Sequence, residues 1–432
     1  MLRRIRKFIT SYSFYQNSQY WDQDKIGAYQ DEKLRNLICH AGRNVSYYRN
    51  LFKQINFDYE NFRGRADLKR IPLLDKETIR TRQKELIADN AGQFGIVWES
   101  TSGSTGTPLH IIVDQDTQMN KLAALLRSYQ WAGYSLRMRT FSLQSYYINN
   151  ADYEFKPIIN VLRFDSNKLK KESAIEVAEE VNRRKPKFFM GFPFDLLLFS
   201  RFAEEAGIKI DSPKSMVTYG ETLSNEKRTA LESAYSCEVF DYYCHHEAVV
   251  MIAECEHHQR HLVDDFAYHE LVDENGEDAW GAGKGELVGT GYYNYAMPLI
   301  RYRTRDDIEL GDQSESCVCG RAFPIIDKIH GKQCDYIETP DGRFLGAVMS
   351  HSIDRGKGVV MSQCIQDAID HIDVNLVVDS SYNQGSQSAL EEDLRKRLGQ
   401  EMKINFYIVS QLEKRSGGKT PFILSKIGHQ YS

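Results

Sequence analysis

The residues best able to do chemistry gather first in the run Glu99-Ser100-Thr101-Ser102-Gly103-Ser104-Thr105-Gly106-Thr107-Pro108. Glycine opens backbone conformations and close approaches that a Cβ forbids. Short hydroxyls and successive backbone N–H groups together form concavities that bind anions. Strand-like segments flank the run, Val97-Trp98 before it and Leu109-His110-Ile111-Ile112-Val113 after it. A hydroxyl-rich loop held between strands favours a phosphate clamp over a flexible linker, with Thr101, Ser102, Gly103, Ser104, Thr105, Gly106 and Thr107 as its members. It is not a Walker-type loop, which needs a lysine directly after its second glycine; Thr107 stands there.

Further motifs follow in order. Tyr219-Gly220-Glu221-Thr222-Leu223-Ser224 ends one short apolar run, and Asp241-Tyr242-Tyr243-Cys244-His245-His246-Glu247 ends another. Pro298-Leu299-Ile300-Arg301-Tyr302-Arg303-Thr304-Arg305-Asp306 comes next, then Gly331-Lys332-Gln333-Cys334-Asp335, then Ser416-Gly417-Gly418-Lys419-Thr420 near the C-terminus. In this order the motifs resemble those of the adenylate-forming enzymes, the acyl-CoA synthetases and peptide-synthetase adenylation domains. Glu254-Cys255, His261, Pro298 to Arg303 and Cys317-Val318-Cys319-Gly320-Arg321 make the likeness strongest to the phenylacetate–CoA ligase and CapK-like branch, which includes capsular-polysaccharide and coenzyme F390 synthetase-like proteins. The resemblance covers most of residues 30–425.

What the resemblance implies is an ATP- and Mg²⁺-dependent ligase. A small carboxylic acid attacks the α-phosphate, pyrophosphate leaves, and the acyl-adenylate passes its acyl group to a thiol (CoA or a carrier) or to an amine, in a polysaccharide or natural-product pathway. Carried onto this chain, residues 101–107 hold the leaving phosphates, Gly220, Glu221 and Thr222 border the adenine, and Tyr243 stacks on it. Glu247 holds Mg²⁺, Asp306 accepts hydrogen bonds from the ribose hydroxyls, and Lys419 bridges the carboxylate and the α-phosphate. Tyr146, Tyr147, Phe192, Phe194 and Tyr242 are candidates to line the acid pocket. The chain departs from the pattern at Cys244 and Arg305, where the family has glycine, at His246 for threonine, and at Lys332 for arginine. Cys244 and His246 crowd the expected pocket floor, and His246, Arg305 and Lys332 keep a second expectation open, a nucleotide-binding protein on the same fold that has lost turnover. The resemblance also allows a homodimer.

A separate constellation owes nothing to nucleotide. Cys255 and His261 are followed much later by Cys317-Val318-Cys319-Gly320. Three thiolates and one imidazole suit a tetrahedral, structural Zn²⁺ that pins the segment before residue 331 to the main domain. His257 and His258 are rival ligands, and four unrelated buried side chains are the alternative. A zinc-dependent hydrolase fails on counting, because four protein ligands leave no open position and there is no His-Glu-x-x-His helix.

The elements that must position these residues read as α/β. Leu34, Leu37, Ile38, Ala41 and Val45 form a helical stripe, and Asp75 is placed to cap a helix. From about residue 155, helical faces such as Ala174, Val177, Ala178 and Val181 alternate with short strands at Phe188–Gly191, Ser215–Tyr219 and Val239–Tyr243. That alternation predicts a parallel sheet with ligands at the strands' carboxyl ends. In the tail, Ile372, Val374, Leu376 and Val378 alternate, Leu390, Leu394 and Leu398 form a helix stripe, and Ile404, Phe406 and Ile408 alternate again. The expectation is a large domain over 1–330 with mostly parallel sheets and flanking helices, and a small mobile α+β lid over 331–432 carrying Lys419, with a hinge at 331–335.

The bulk properties agree. At 432 residues the chain needs two or three domains, and its net charge of −5 supplies no basic field for nucleic acid. No apolar run approaches a membrane span, and the basic start Met1 to Ile9 reads as a solvated first helix rather than a signal peptide. Eight scattered cysteines are no disulfide framework, which points to reduced thiols in a cytoplasm.

Overall fold

The protein is described by a computed structural model covering residues 2–101, 109–145, 148, 151–314, 316–330, 336–345, 357–413 and 421–427. By packing, the chain divides into two compact units. The first comprises Met1–Glu99, His110–Tyr134 and Phe240–Gly331; the second comprises Ser100–Leu109, Ser135–Val239 and Lys332–Ser432. Among the described residues no helix is long and apolar enough to cross a membrane.

The first unit opens on helices. Asp22 accepts a hydrogen bond from the Lys25 amide and starts the helix Gln23–Asn44, which buries the predicted Leu34, Leu37, Ile38 and Ala41 on one face. Asp75 accepts from Thr78 N, as its sequence context predicts, and Asp114 caps the helix Gln115–Trp131 in the same way. The strands of this unit lie in the order Ala267–Val272, Lys284–Gly291, Tyr302–Leu310, Ile325–His330, Arg260–Leu262, Met251–Glu254 and Glu238–Cys244. All these pairings are antiparallel. Within this unit the strands pair antiparallel; the parallel strands of the expected sheet lie in the second unit. For Met251–Glu254 and Arg260–Leu262 the short connection of residues 255–259 requires an antiparallel return, since a parallel one needs a crossover of a dozen or more residues.

Parallel pairing is the property of the second unit. Ser215–Tyr219, Phe188–Gly191, Thr140–Gln144 and Val161–Asp165 run parallel as neighbours, with Tyr153–Lys156 antiparallel on the edge. Helices Lys171–Arg184, Pro193–Glu205 and Asn225–Tyr235 intervene. Val177, Val181, Leu196 and Phe199 from these helices join Phe141, Leu162, Phe164 and Phe189 from the strands in one buried cluster. The α/β class inferred from the alternation is thus observed. The tail forms its own small α+β layer, with strands in the order Lys403–Ile408, His371–Val378, Val359–Ala368 and Ile423–Ser425. The helix Gln384–Leu398 packs its predicted Leu390, Leu394 and Leu398 against Ile372, Val374 and Leu376. Asp341-Gly342 makes the expected turn, joining Ile337–Glu338 to Phe344–Leu345 with Gly342 at φ 77°.

Candidate functional site

In the first unit, the strand Tyr302–Leu310 alternates so that Tyr302, Thr304 and Asp306 are buried while Arg305 faces out. The strand Glu238–Cys244 brings Tyr243 to the same place. The Tyr243 hydroxyl donates to Asp306 Oδ2 at 2.9 Å and lies 2.7 Å from His245 Nε2, which is itself 3.2 Å from that oxygen. Burial, with Asp306 alongside, pushes the Tyr243 phenol well above its ordinary value, so it stays a neutral donor. Lys121 Nζ donates to the His245 carbonyl at 2.8 Å and braces the turn.

Glu247 follows in that turn and is 4 % exposed. The Tyr302 hydroxyl donates to its Oε1 at 2.7 Å. Burial raises the Glu247 carboxyl, but His245, Lys76 and the Tyr302 hydroxyl outweigh it and hold the group below the usual carboxylate range. A buried carboxylate kept anionic by its surroundings is the donor a hard cation such as Mg²⁺ prefers. His246 does not crowd a pocket floor: its side chain is 57 % exposed and its Nδ1 lies 3.6 Å from Glu99 Oε2. Arg305 holds φ 65°, a left-handed conformation that favours glycine, and its amide donates to Glu286 Oε1 at 3.0 Å.

In the second unit, Gly220 sits at φ 80°, and a Cβ there would meet the Phe192 ring at 2.4 Å, so both backbone and packing require glycine. Glu221 accepts from the Tyr336 hydroxyl and lies 3.5 Å from Phe194 N, while the Tyr336 and Phe194 rings stack at 3.8 Å. Burial pushes the Glu221 carboxyl up, against the pull of Tyr336 and Lys227. Thr222 is exposed, and Ser224 caps the next helix by accepting from Lys227 N. Phe194 and Tyr242, candidates for the acid pocket, are both buried. Thr101 ends the strand Ile96–Thr101. Ser102, Gly103, Ser104, Thr105, Gly106, Thr107, Tyr146, Tyr147, Lys332, Asp335 and Lys419 lie outside the described residues.

The four candidate metal ligands converge in the first unit. Cys255, His261, Cys317 and Cys319 are all buried, with their ligand atoms within 4.8 Å of one another. The rival His258 is engaged elsewhere: its Nδ1 is 2.9 Å from Glu254 Oε1 and its ring stacks on Phe240. Sequence reasoning missed the partners of these groups, namely His245 and Tyr302 for the carboxylates, Tyr336 for Glu221, and Arg321 beside Cys319. For Tyr302 the signal was present in the alternation Tyr302, Thr304, Asp306, which places all three on one strand face.

The fold is that of the CoA ligases. A structure of 2-hydroxyisobutyryl-CoA ligase with 2-HIB-AMP and CoA in its thioesterification state superposes with a TM-score of 0.66, over 95 % of this chain and 91 % of that one, at 15 % identity. In sequence, the chain is 22 % identical to protein CapK of Staphylococcus aureus over 409 residues, covering 92 % of this chain and 89 % of CapK. It is 24 % identical to the phenylacetate–coenzyme A ligase of Thermus thermophilus over 336 residues, 73 % of this chain and 72 % of that one. Residues 337–426 match the CapK C-terminal domain. The protein is therefore a homologue of CapK and of the phenylacetate–CoA ligases, and it carries a CapK C-terminal domain.

Proposed function

We propose that the chain activates a small carboxylic acid with ATP and Mg²⁺, forming an acyl-adenylate and releasing pyrophosphate, and that it then transfers the acyl group to a thiol or an amine. One observation carries this reading. Tyr243 and Glu247 from one motif and Asp306 from another, distant one form a polar cluster: Tyr243 and His245 bond Asp306, Tyr302 bonds Glu247, and His245 acts electrostatically on Glu247.

In this reading Tyr243 presents its ring to adenine, and its hydroxyl holds Asp306 in place. A carboxylate has about four acceptor positions, so Asp306 can take ribose hydroxyls beside its present contacts. Glu247 is the anion that would hold Mg²⁺, whose charge would offset that of the phosphates. Gly220, Glu221 and Thr222 border the base, residues 101–107 hold the leaving phosphates, and Lys419 contributes a positive charge that counts most in the transition state. Residues 331–432 act as a lid that reshapes the site between adenylation and transfer.

The test is acid-dependent exchange of labelled pyrophosphate into ATP across a panel of aryl and aliphatic acids. At least one acid should support exchange, and Lys419→Ala should abolish it while ATP still binds. If ATP binds but no acid supports exchange, the protein is a nucleotide binder that has lost turnover. If ATP with Mg²⁺ does not bind, both readings fall.

A further inference from the structure

We propose that Cys255, His261, Cys317 and Cys319 form a closed structural zinc centre, and that the buried guanidinium of Arg321 balances its charge. The spacing of the donors is that of atoms sharing one ion. With Zn–S of about 2.3 Å and Zn–N of about 2.0–2.1 Å, tetrahedral ligands lie about 3.8 Å apart for sulfur pairs and about 3.5 Å for a sulfur and a nitrogen. Cys255 Sγ and Cys317 Sγ are 3.8 Å apart, and Cys319 Sγ is 3.5 Å from His261 Nε2.

The imidazole is turned for the task. His261 Nδ1 lies 3.1 Å from the Phe323 carbonyl, which can only accept, so Nδ1 carries the proton and Nε2 keeps its lone pair toward the thiols. Each sulfur is also met by backbone N–H groups. Backbone N–H groups of His257 and Gln259 point at Cys255, that of Cys319 at Cys317, and that of Arg321 at Cys319. Gly320, at φ 75°, closes the knuckle with its amide on the Cys317 carbonyl at 3.0 Å.

Three thiolates with Zn²⁺ leave one negative charge in a buried place, and a buried charge is costly unless it is paired. Arg321 meets that need. It is 4 % exposed, stands beside Cys319 closely enough for the two groups to interact electrostatically, and lies over the Trp131 ring at 4.2 Å. Its outer contacts are Gln19 Oε1 at 3.2 Å and the half-exposed Glu256 at 2.7 Å. Four protein ligands leave no position for water or substrate, so the centre is structural. It ties the knuckle to the hairpin of Met251–Glu254 and Arg260–Leu262. There the strand Ile325–His330 pairs through only two registered positions, Arg260 with Ile326 and His261 with Ile325.

The test uses the full-length chain purified without chelator. Elemental analysis should give one zinc per chain, and X-ray absorption should give three sulfurs and one nitrogen at the distances above. Chain that is folded and metal-free, or a shell dominated by oxygen, would overturn the centre. Cys317→Ser and Cys319→Ser should lose the metal. Because they could also misfold, Arg321→Met and Arg321→Lys supply the second reading, by competition for Zn²⁺ against a chromophoric chelator. Arg321→Met should weaken zinc binding about 10- to 100-fold, as loss of an outer-shell partner does, and Arg321→Lys should recover part of it. Equal affinity in all three proteins would overturn the role of Arg321.

Discussion

The cysteine cluster and the Tyr243–Asp306 cluster are both polar and built from distant segments, yet their internal bonding is opposite. Around Asp306 the groups satisfy one another: a phenol donates to a carboxylate, and an imidazole shares the same oxygen. Such a set is stable on its own and can trade partners when a ligand arrives. Around Cys255 the backbone N–H groups and the Phe323 carbonyl all turn the donor atoms' lone pairs inward on one another. The ligand atoms of that set all lie within 4.8 Å of one another. On the proposed readings, the contrast separates a site that exchanges its occupant from one that keeps it.

The largest test of this contrast is thermodynamic. Cys319→Ser should destabilise the protein by about 4 kcal/mol or more, the scale seen when a metal centre is lost, as measured by urea unfolding. Unfolding no earlier than the native chain would erase the distinction between the clusters. Next comes Asp306→Asn. Replacing a charged acceptor of two ribose hydrogen bonds costs about 1.5–3 kcal/mol, or roughly 10- to 100-fold in kcat/KM for ATP. The change should appear in pyrophosphate exchange, with the zinc content untouched.

A buried acid in the second unit sharpens the point through pH. Burial, reinforced by the Glu221 carboxylate, pushes the Asp195 carboxyl well above its usual value. A raised carboxyl favours the folded state when protonated. The stability it contributes is fully present below the unfolded value of about 3.9 and is lost as pH rises through the folded value. Asp195→Asn mimics the protonated acid at every pH. Its thermal midpoint should match the native protein near pH 3 and exceed it increasingly toward neutrality. A gap that stays constant with pH would show that Asp195 does not titrate in this way.

What the sequence revealed follows from what its patterns encode. The tail was readable because Ile372, Val374 and Leu376 alternate and Leu390, Leu394 and Leu398 repeat at helical spacing, each set facing one core. The convergence of Cys255, His261, Cys317 and Cys319 was readable because thiols and imidazole are rare and their chemistry is narrow. The antiparallel strands of the first unit were not, since short apolar runs look alike in either direction and only the connections between them decide. The role of Tyr336 was hidden for a different reason. It acts through a partner far along the chain, Glu221, 115 positions away, and no local pattern marks such a pair.

The smallest expected effect concerns Arg305, where the adenylate-forming motif that this chain resembles has glycine. Its φ of 65° costs a non-glycine residue roughly 1–2 kcal/mol. Glycine removes that strain, but it also gives the unfolded chain more freedom, which takes back about 0.4–1 kcal/mol. The side chain adds little on the other side, because it is 53 % exposed and its nearest approach to Glu286 is 3.9 Å. The amide bond to Glu286 survives the change, since it uses only backbone. Arg305→Gly should therefore stabilise the protein by about 0.5–1 kcal/mol. Its effect on exchange decides why the arginine is there. Unchanged activity makes it a tolerated departure, whereas a rise in KM for ATP would give the exposed guanidinium a part in holding the nucleotide.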